Sequence, residues 1–405
     1  MTHSDNDGIL DQYKYEYDLM GNKTGIDKYR RGLDVDNGQF GYGYDALGRL
    51  CEVVKDGEPV RSYTYDAFGN RSLMSEGDKQ TSYTFNALNQ LIRAESPDIT
   101  RNYLYDARGN INRTLENGLL KKTYEFGALN KLEKTTNVDG QATGYKYNGL
   151  GFRVGEYIAD ANFNPLKEID YVIDFTKQYR NILQRTENNN TRNYLWDHEV
   201  VSESSNEGDN FYLLDELGSP LRFVDANGVI ADSYAHDEFG NDLTGNQGIQ
   251  QPFGYTGYRY DNLAGMYFAQ SREYDPWLGR FASEDRFKDG KNWYCYCNNN
   301  PCTFVDLSGN AWEHADGVNG TIAHKQIQAF FNFTHPDAAL RTFQEFTIPS
   351  VIDLISGRDV LIGTAKVAGT AATGWLIWEI CKWAVAGGLA PFTGGASIGV
   401  AVCMP

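Results

Sequence analysis

YTYDAFGN, at residues 63–70, is the clearest copy of a unit that repeats along residues 15–152. Two aromatic residues separated by one position share one face of a strand, because side chains alternate across a β-strand. The Asp-Ala-x-Gly that follows places an aspartate where its carboxylate can accept hydrogen bonds from turn amides, and a glycine where the backbone needs positive φ. The unit therefore predicts a strand, a tight turn and a second strand.

Six further copies surround this one, and after the first interval their second aromatic recurs every 20 or 21 residues. The copies are YEYDLMGN (15–22), YGYDALGR (42–49), YTFNALNQ (83–90), YLYDARGN (103–110), YEFGALNK (124–131) and YKYNGLGF (145–152). Where glycine is missing, Asn89 and Asn130 replace it, and asparagine is the next residue best able to adopt positive φ. Because one hairpin cannot bury an aromatic face alone, neighbouring hairpins must stack into one long sheet. We expect the tyrosines to pack within this sheet; the alternative is a carbohydrate-binding platform.

The period blurs between about 155 and 210, and it returns in residues 211–241 with turns at DELGSP and DEFGN. Residues 253–276 then read as alternating aromatic strands. His236 stands beside an acidic turn and is predicted to lie at the surface. These changes divide the chain into a repeat region at 1–210, a core at 211–310 and a tail at 311–405.

The composition limits the classes of function. A net charge of −17 excludes a general nucleic-acid scaffold, because phosphate binding needs clustered lysine and arginine. The 27 tyrosines, 42 glycines and 21 phenylalanines favour a mainly β fold. Cys295, Cys297 and Cys302 lack the spacing of a four-ligand zinc site, so we interpret them as packed thiols, with a metal site as the alternative.

The core contains the stretch SREYDPWLGRFASEDRFKDGKNWYCYCNNNPCTFVDLSG, residues 271–309. Together with the repeats, this stretch resembles the repeat-associated core of the RHS, or YD-repeat, family. The matching positions are Arg272, Tyr274, Asp275, Pro276, Gly279, Arg280, Phe281, Asp285, Asn292, Tyr294, Tyr296, Asn299, Asn300, Pro301, Asp306 and Gly309. The resemblance implies a β-hairpin sheet that spirals into a shell around a C-terminal cargo, commonly a toxin. Seven repeats are few for this family, so we expect a partial shell with a small α or α/β C-terminal domain.

The same resemblance implies that the chain cuts itself just after Asp-x-x-Gly, near the Asn310–Ala311 bond. Carried over position by position, the catalytic residues are Arg272, Asp285 and Asp306. Two carboxylates brought together cannot both ionise cheaply, so one would hold a proton while the other activates water. Arg272 would orient a carboxylate or stabilise charge on the attacked carbonyl.

A purely structural interpretation competes with this one. Asp306 and Gly309 are also what a closing turn would use, as in the repeats. Three positions depart from the family pattern: Arg286 and Leu307 stand where proline is common, and Asn310 stands where many members have leucine.

Tyrosine disappears from residues 311–405, and two interpretations of this tail compete. In the first, which resembles endonuclease-type toxin tails, Asp359 and Glu379 hold Mg²⁺ and Lys382 steadies the phosphate or the attacking water. The Glu-x-x-Lys spacing is one residue too long for this, because in a strand the two side chains would point to opposite faces. These residues would otherwise be solvated or form helix pairs.

The second interpretation is a membrane-active segment at 360–402, which carries only three charged residues. HKQIQAFFNF, residues 324–333, is predicted to form a short amphipathic helix.

The family resemblance implies a polymorphic toxin, secreted or at the cell surface, whose shell needs no cofactor. Its partners would be its own tail as cargo, an immunity protein and a delivery machinery, with nucleic acid added if the tail is a nuclease. The amino terminus lacks the basic start and apolar run of a signal peptide, which favours a C-terminal fragment of an exported protein or non-classical export. The alternative is a non-enzymatic surface or adhesion protein with a degenerate tail.

Overall fold

The computed structural model describes residues 1–5, 7–176, 179–248, 250–288 and 290–315, and this part of the chain is almost entirely β. Its main sheet is an antiparallel meander, in which each strand pairs with the next strand in sequence. The strands are β1 (Thr2–Asp5), β2 (Gly8–Tyr17), β3 (Lys23–Arg30), β4 (Gly38–Tyr44), β5 (Leu50–Lys55), β6 (Glu58–Tyr65), β7 (Arg71–Glu76), β8 (Lys79–Phe85), β9 (Leu91–Glu95), β10 (Thr100–Tyr105), β11 (Ile111–Glu116), β12 (Leu119–Phe126), β13 (Leu132–Asn137), β14 (Ala142–Tyr147), β15 (Arg153–Ala159), β16 (Pro165–Ile173), β17 (Ile182–Glu187), β18 (Asn190–Trp196), β19 (Val200–Ser205), β20 (Gly208–Leu214), β21 (Pro220–Asp225) and β22 (Ile230–Ser233). The mainly β fold and the stacking of hairpins into one long sheet are confirmed.

The repeated turns have the geometry that the sequence predicts. Asp66 Oδ1 accepts a hydrogen bond from the backbone nitrogen of Phe68 at 2.8 Å, and Gly69 has a φ of +79°. Asn89 and Asn130, which replace glycine in two copies, have φ values of +58° and +56°. Turn capping by the aspartates is thus their structural role in these hairpins.

The two aromatics of each unit have different roles in the sheet. The first is buried in the sheet face, as in Tyr63, Tyr83, Tyr103, Tyr124 and Tyr145. Just before the second aromatic, the strand pairing shifts by one residue, which is a β-bulge. When the second aromatic is a tyrosine, its hydroxyl can reach the backbone of the preceding repeat. Tyr65 OH donates to the carbonyl of Leu50 at 2.7 Å, and Tyr147 OH donates to that of Leu132 at 2.8 Å. The tyrosine ladder therefore packs the sheet and bonds consecutive repeats together.

The sheet does not stop where the sequence period blurs. Hairpins β15 to β20 continue the meander, with Ile169, Tyr171 and Ile173 supplying the buried face of β16. The boundary drawn between residues 210 and 211 falls inside β20, and the sheet extends to Ser233.

After the meander, the core forms a small antiparallel sheet of β23 (Arg259–Asp261), β24 (Met266–Ala269), β25 (Arg272–Asp275) and β26 (Arg280–Phe281). A short pair, β27 (Phe304–Val305) and β28 (Glu313–His314), follows. A cluster of buried aromatics fills the space around the small sheet: Tyr255, Tyr258, Tyr267, Tyr274, Phe281 and Tyr296.

Side chains of the core donate hydrogen bonds to backbone carbonyls in the turns of the repeat hairpins. Tyr294 OH donates to the carbonyl of Gly109 at 2.7 Å, and Asn299 Nδ2 donates to that of Gly69 at 2.9 Å. Arg280 Nη2 reaches the carbonyl of Asn89 at 2.7 Å. The turns that close the hairpins thus also hold the core segment in place.

His236, which was expected at the surface, lies there only in part. Its ring is half-buried and packs against Tyr255 and Tyr267, with centroids 5.9 and 6.4 Å away. Its Nε2 lies 2.8 Å from Gln247 Oε1, and burial lowers the pKa of the imidazole. The neighbouring acidic turn misled the prediction, because the packing comes from residues distant in sequence.

Candidate functional site

The three residues of the predicted self-cleavage site lie together in the core. Arg272 begins β25, Asp285 follows β26 and Asp306 follows β27, and all three are buried. Arg272 Nη2 lies 3.6 Å from Asp285 Oδ2 and 3.8 Å from Asp306 Oδ2. One guanidinium group therefore faces both carboxylates.

The rest of the Arg272 side chain is also occupied. Its Nε donates to the carbonyl of Gly309 at 2.5 Å, its Nη1 donates to that of Trp293 at 2.8 Å, and its Cζ lies 3.6 Å from the centre of the Phe281 ring. Burial lowers the pKa of Arg272, and the two carboxylates oppose that effect. Arg272 thus joins both aspartates to the backbone just before the predicted cut.

Asp306 contacts the predicted scissile bond directly. Its Oδ1 accepts hydrogen bonds from the backbone nitrogens of Asn310 and Ala311, each at 3.0 Å, and from Ser308 Oγ at 3.2 Å. The Ala311 nitrogen is the atom that would leave when the Asn310–Ala311 bond breaks. Burial raises the pKa of Asp306, while Arg272 and the backbone amides oppose the rise. In the structure the Ala311 nitrogen donates this hydrogen bond, and a carboxyl group with a raised pKa at this position is a candidate general acid for that nitrogen.

Asp306 and Gly309 also form the closing turn that the structural interpretation predicts. Gly309 has a φ of +68°, and its nitrogen donates to the Asp306 carbonyl at 3.1 Å. A Cβ at this position would lie 2.2 Å from the carbonyl oxygen of Ala269. Glycine is therefore needed for both conformation and close approach, and the turn brings the predicted cut onto Asp306.

Asp285 is held in a turn of its own. Its Oδ1 accepts a hydrogen bond from the Phe287 nitrogen at 2.7 Å, and its backbone nitrogen donates to the Trp293 carbonyl at 2.9 Å. Its Oδ2 is the oxygen that faces Arg272.

Sequence reasoning missed three contributors to this site. Ser308 bridges Asp306 and the backbone after Gly309, Ser271 Oγ accepts a hydrogen bond from Asn310 Nδ2 at 2.7 Å, and Tyr258 OH donates to the Asp306 carbonyl. Ser308 lies inside the Asp-x-x-Gly turn and could have been noticed there. Ser271 and Tyr258 are joined to the site only by the tertiary fold.

Two of the three clustered cysteines of the core lie in different environments. Cys297 is buried among the core aromatics, whereas Cys302 packs against the cluster around Tyr42 and Leu50. Among the described residues, no group of three or more histidine, cysteine, aspartate or glutamate side chains has the arrangement of a metal site.

The tail predictions lie outside the described residues. This applies to Asp359, Glu379 and Lys382, to the helix at 324–333 and to the apolar segment at 360–402. Up to residue 315, the described chain contains no helix long and apolar enough to span a bilayer.

Comparison with known proteins gives a consistent result over the repeats and the core. The family model of the teneurin YD-shell matches residues 8–302. The tRNA nuclease WapA of Bacillus subtilis strain 168 is 30% identical over 286 residues, which cover 66% of this chain and 12% of WapA. Mouse teneurin-4 is 27% identical over 325 residues, which cover 73% of this chain and 11% of teneurin-4.

The chain thus spans only about an eighth of the length of these relatives. Among solved structures, the crystal structure of TcdB2-TccC3-Cdc42 aligns with 76% of this chain and 19% of its own, with a TM-score of 0.49 and 17% identity. The match of the family model to most of the chain, on a meander of repeated Tyr-Asp hairpins, shows that this protein belongs to the RHS, or YD-repeat, family described by the teneurin YD-shell.

Proposed function

We propose that this chain is the C-terminal part of an exported RHS-type toxin whose core cuts the Asn310–Ala311 bond and so separates the YD-repeat sheet from its C-terminal effector. The observation that carries the proposal is the contact between Asp306 Oδ1 and the Ala311 nitrogen at 3.0 Å. Asp306 also faces the buried Arg272 together with a second buried carboxylate, Asp285.

In this mechanism Asp306 donates a proton to the Ala311 nitrogen as the peptide bond breaks. For attack by water, Asp285, which pairs with Arg272, acts as the base that activates the water molecule. Arg272 fixes both carboxylates and, through the Gly309 carbonyl, the backbone that leads into the bond. Positioning of this kind and general acid-base catalysis each contribute substantially to rate.

The tail is proposed to be a metal-dependent nuclease, with Asp359 and Glu379 holding Mg²⁺ and Lys382 steadying the phosphate. Family members named as tRNA nucleases favour this over a membrane-active segment at 360–402. The remaining partners of the proposal are a delivery machinery and an immunity protein, with the toxin secreted or at the cell surface. A surface or adhesion protein with a degenerate tail is the competing function.

The mass of the purified full-length chain tests the cleavage. We expect two fragments, residues 1–310 and 311–405, from the wild type, and one intact chain from Asp306→Asn and Asp285→Asn. Asp66→Asn is the matched control, because Asp66 also caps an Asp-x-x-Gly turn but touches no predicted scissile bond. Near-UV circular dichroism would show whether each variant keeps its aromatic packing.

An intact wild-type chain over days at mildly acidic and neutral pH would overturn the cleavage proposal. Equal cutting of the wild type and a folded Asp306→Asn variant would also overturn it.

A second measurement tests the tail in the full chain. A nuclease tail should degrade tRNA only with Mg²⁺ and should lose this activity in Glu379→Gln. A membrane-active tail should release dye from liposomes without metal, and Glu379→Gln should leave that activity intact. If neither activity is found, the adhesion interpretation becomes the better one.

A further inference from the structure

The residue before the proposed cut is an asparagine whose side chain is held within the site. Asn310 Nδ2 donates to Ser271 Oγ at 2.7 Å and to the Ser308 carbonyl at 3.1 Å. Its Oδ1 is buried without a hydrogen-bond partner in the protein. These contacts keep the carboxamide inside the site, and an asparagine amide next to a peptide bond can attack that bond.

We propose that Asn310 is itself the nucleophile of the cleavage, an inference that rests on the proposed function above. Its Nδ2 forms a bond to its own carbonyl carbon, and the bond between that carbon and the Ala311 nitrogen breaks. The repeat-containing fragment then ends in a five-membered succinimide, and the tail begins with a free amine at Ala311. Nδ2 gives up one proton, the Ala311 nitrogen gains one, and no water is consumed.

The nitrogen that loses a proton and the nitrogen that gains one each have a hydrogen-bonding side chain beside them. Ser271 Oγ accepts the hydrogen bond from the attacking nitrogen. At the other end, Asp306 Oδ1 accepts a hydrogen bond from the Ala311 nitrogen at 3.0 Å, and Ser308 Oγ lies 3.4 Å from the same nitrogen. Asp306 is therefore positioned on the leaving atom, which is where both ring closure and hydrolysis need an acid.

Ring closure also has an entropic advantage over attack by a separate molecule. The nucleophile and the attacked carbonyl both belong to Asn310. Hydrogen bonds from its backbone nitrogen, from its Nδ2 and from the Ala311 nitrogen already restrict this residue. An intramolecular reaction of well-held groups avoids the loss of translational and rotational freedom that a bimolecular step requires. In this scheme Arg272 is a positioning residue that holds Asp306 and the Gly309 carbonyl. Asp285 takes no proton here, in contrast to its role in attack by water, and acts only by pairing with Arg272.

The experiment uses the full-length chain and reads the mass of the fragment that ends at residue 310. Cyclisation predicts a fragment lighter by one water than a fragment ending in free asparagine, with the two fragments adding up to the intact chain. In water enriched in heavy oxygen, the freshly formed fragment should carry no label. Hydroxylamine should react with it, because succinimides are electrophilic.

Two variants separate the chemistries. Asn310→Leu places the residue that many family members carry, and Asn310→Asp is nearly isosteric but lacks the attacking nitrogen. We expect both variants to lose cleavage while keeping the near-UV spectrum of the wild type.

Cutting of either variant at the same bond, or heavy oxygen in the fresh wild-type fragment, would overturn cyclisation and leave self-cleavage standing. A wild-type chain that never cuts would instead overturn the proposed function on which the inference rests.

Discussion

Arg272 places one buried cation beside two buried carboxylates. A guanidinium group offers five donors in a fixed plane, so it can contact Asp285, Asp306 and two backbone carbonyls at once. Burial disfavours charge in such a cluster, and the attraction among its members together with hydrogen bonds from the backbone offsets that cost. The chemistry of Asp306 therefore depends on its surroundings: burial favours its neutral form and Arg272 favours its ionised form.

The pH dependence of cleavage follows from Asp306. Burial raises the pKa of Asp306 above its ordinary value, so the neutral acid persists to higher pH than it does in an unfolded chain. If this acid protonates the Ala311 nitrogen, cleavage is present below the folded-state pKa and is lost as pH rises through it. We expect chains refolded from denaturant to cut faster at mildly acidic than at mildly alkaline pH, as followed by fragment mass over time. A rate that stays flat or rises with pH would rule out Asp306 as the acid.

Among the elements, the hairpin turn carries the clearest relation between sequence and conformation. Gly69 and Asn89 occupy equivalent positions in successive repeats, and both have positive φ. The space around Gly69 is not crowded, since a Cβ there would lie 3.5 Å from Asn299 Nδ2. Backbone conformation rather than steric contact therefore decides which residues this position accepts.

Substitution at Gly69 tests this view of the turn. Gly69→Val should lower the free energy of unfolding by more than about 1 kcal/mol, because the backbone of a β-branched residue is strained at positive φ. Gly69→Asn is the matched control and should cost less than about half of that, since asparagine tolerates the same conformation. Urea denaturation monitored by tyrosine fluorescence measures both values. Equal losses in the two variants would mean that backbone conformation does not control this position.

The hairpins could be predicted where local chemistry alone determines them. The Tyr-x-Tyr pairs and the turns carry their own signals, so the strands of the repeats between residues 15 and 152 follow from the sequence. In β16 the buried face is Ile169, Tyr171 and Ile173, and the sheet needs only that this face be apolar. Because the aromatic pattern is lost there, the sequence did not reveal hairpins that are present in the structure.

The candidate site was predictable only in part, for a related reason. Arg272, Asp285 and Asp306 were found through family resemblance, and the structure brings them together. The contact between Ser271 and Asn310 joins residues 39 positions apart in separate turns, and no local pattern encodes it. The burial of His236 likewise depends on Tyr255 and Tyr267, which its own neighbours do not reveal.

At the scale of the whole meander, a buried ionic cluster joins its first strands to its last. Asp11 in β2 accepts hydrogen bonds from Arg30 in β3 and from Arg222 in β21, at 3.1 and 2.9 Å. Arg30 also donates to the carbonyls of Leu221 and Tyr234, at 2.8 and 2.6 Å. Strand pairing in the meander links only chain neighbours, so this cluster provides contacts across about 200 residues of sequence.

Replacement of Asp11 tests how much the meander depends on this cluster. Asp11→Asn would leave two buried guanidinium groups without their shared charge, and breaking a buried pair in this way typically costs about 3–5 kcal/mol. The control is Asp27→Asn, which removes an exposed partner of Lys14 and should cost about 0–1 kcal/mol. Urea denaturation of both variants gives the comparison. Similar small losses would mean that other contacts, such as those of Lys23 and Tyr15 with Glu216, hold the first and last hairpins together.

The same carboxylate should make stability fall in acid. Although burial alone would raise the pKa of Asp11, hydrogen bonds from His3 and Arg222 and the charge of Arg30 lower it below the ordinary value of 3.8. A carboxylate with a depressed folded-state pKa contributes stability that is fully present above the unfolded-state pKa and is lost as pH falls toward the folded-state value. We therefore expect the difference in unfolding free energy between wild type and Asp11→Asn to be constant near neutral pH and to shrink in strong acid. A difference that does not change with pH would mean that the lost stability comes from packing, and that the charge of Asp11 contributes little to joining the two ends of the sheet.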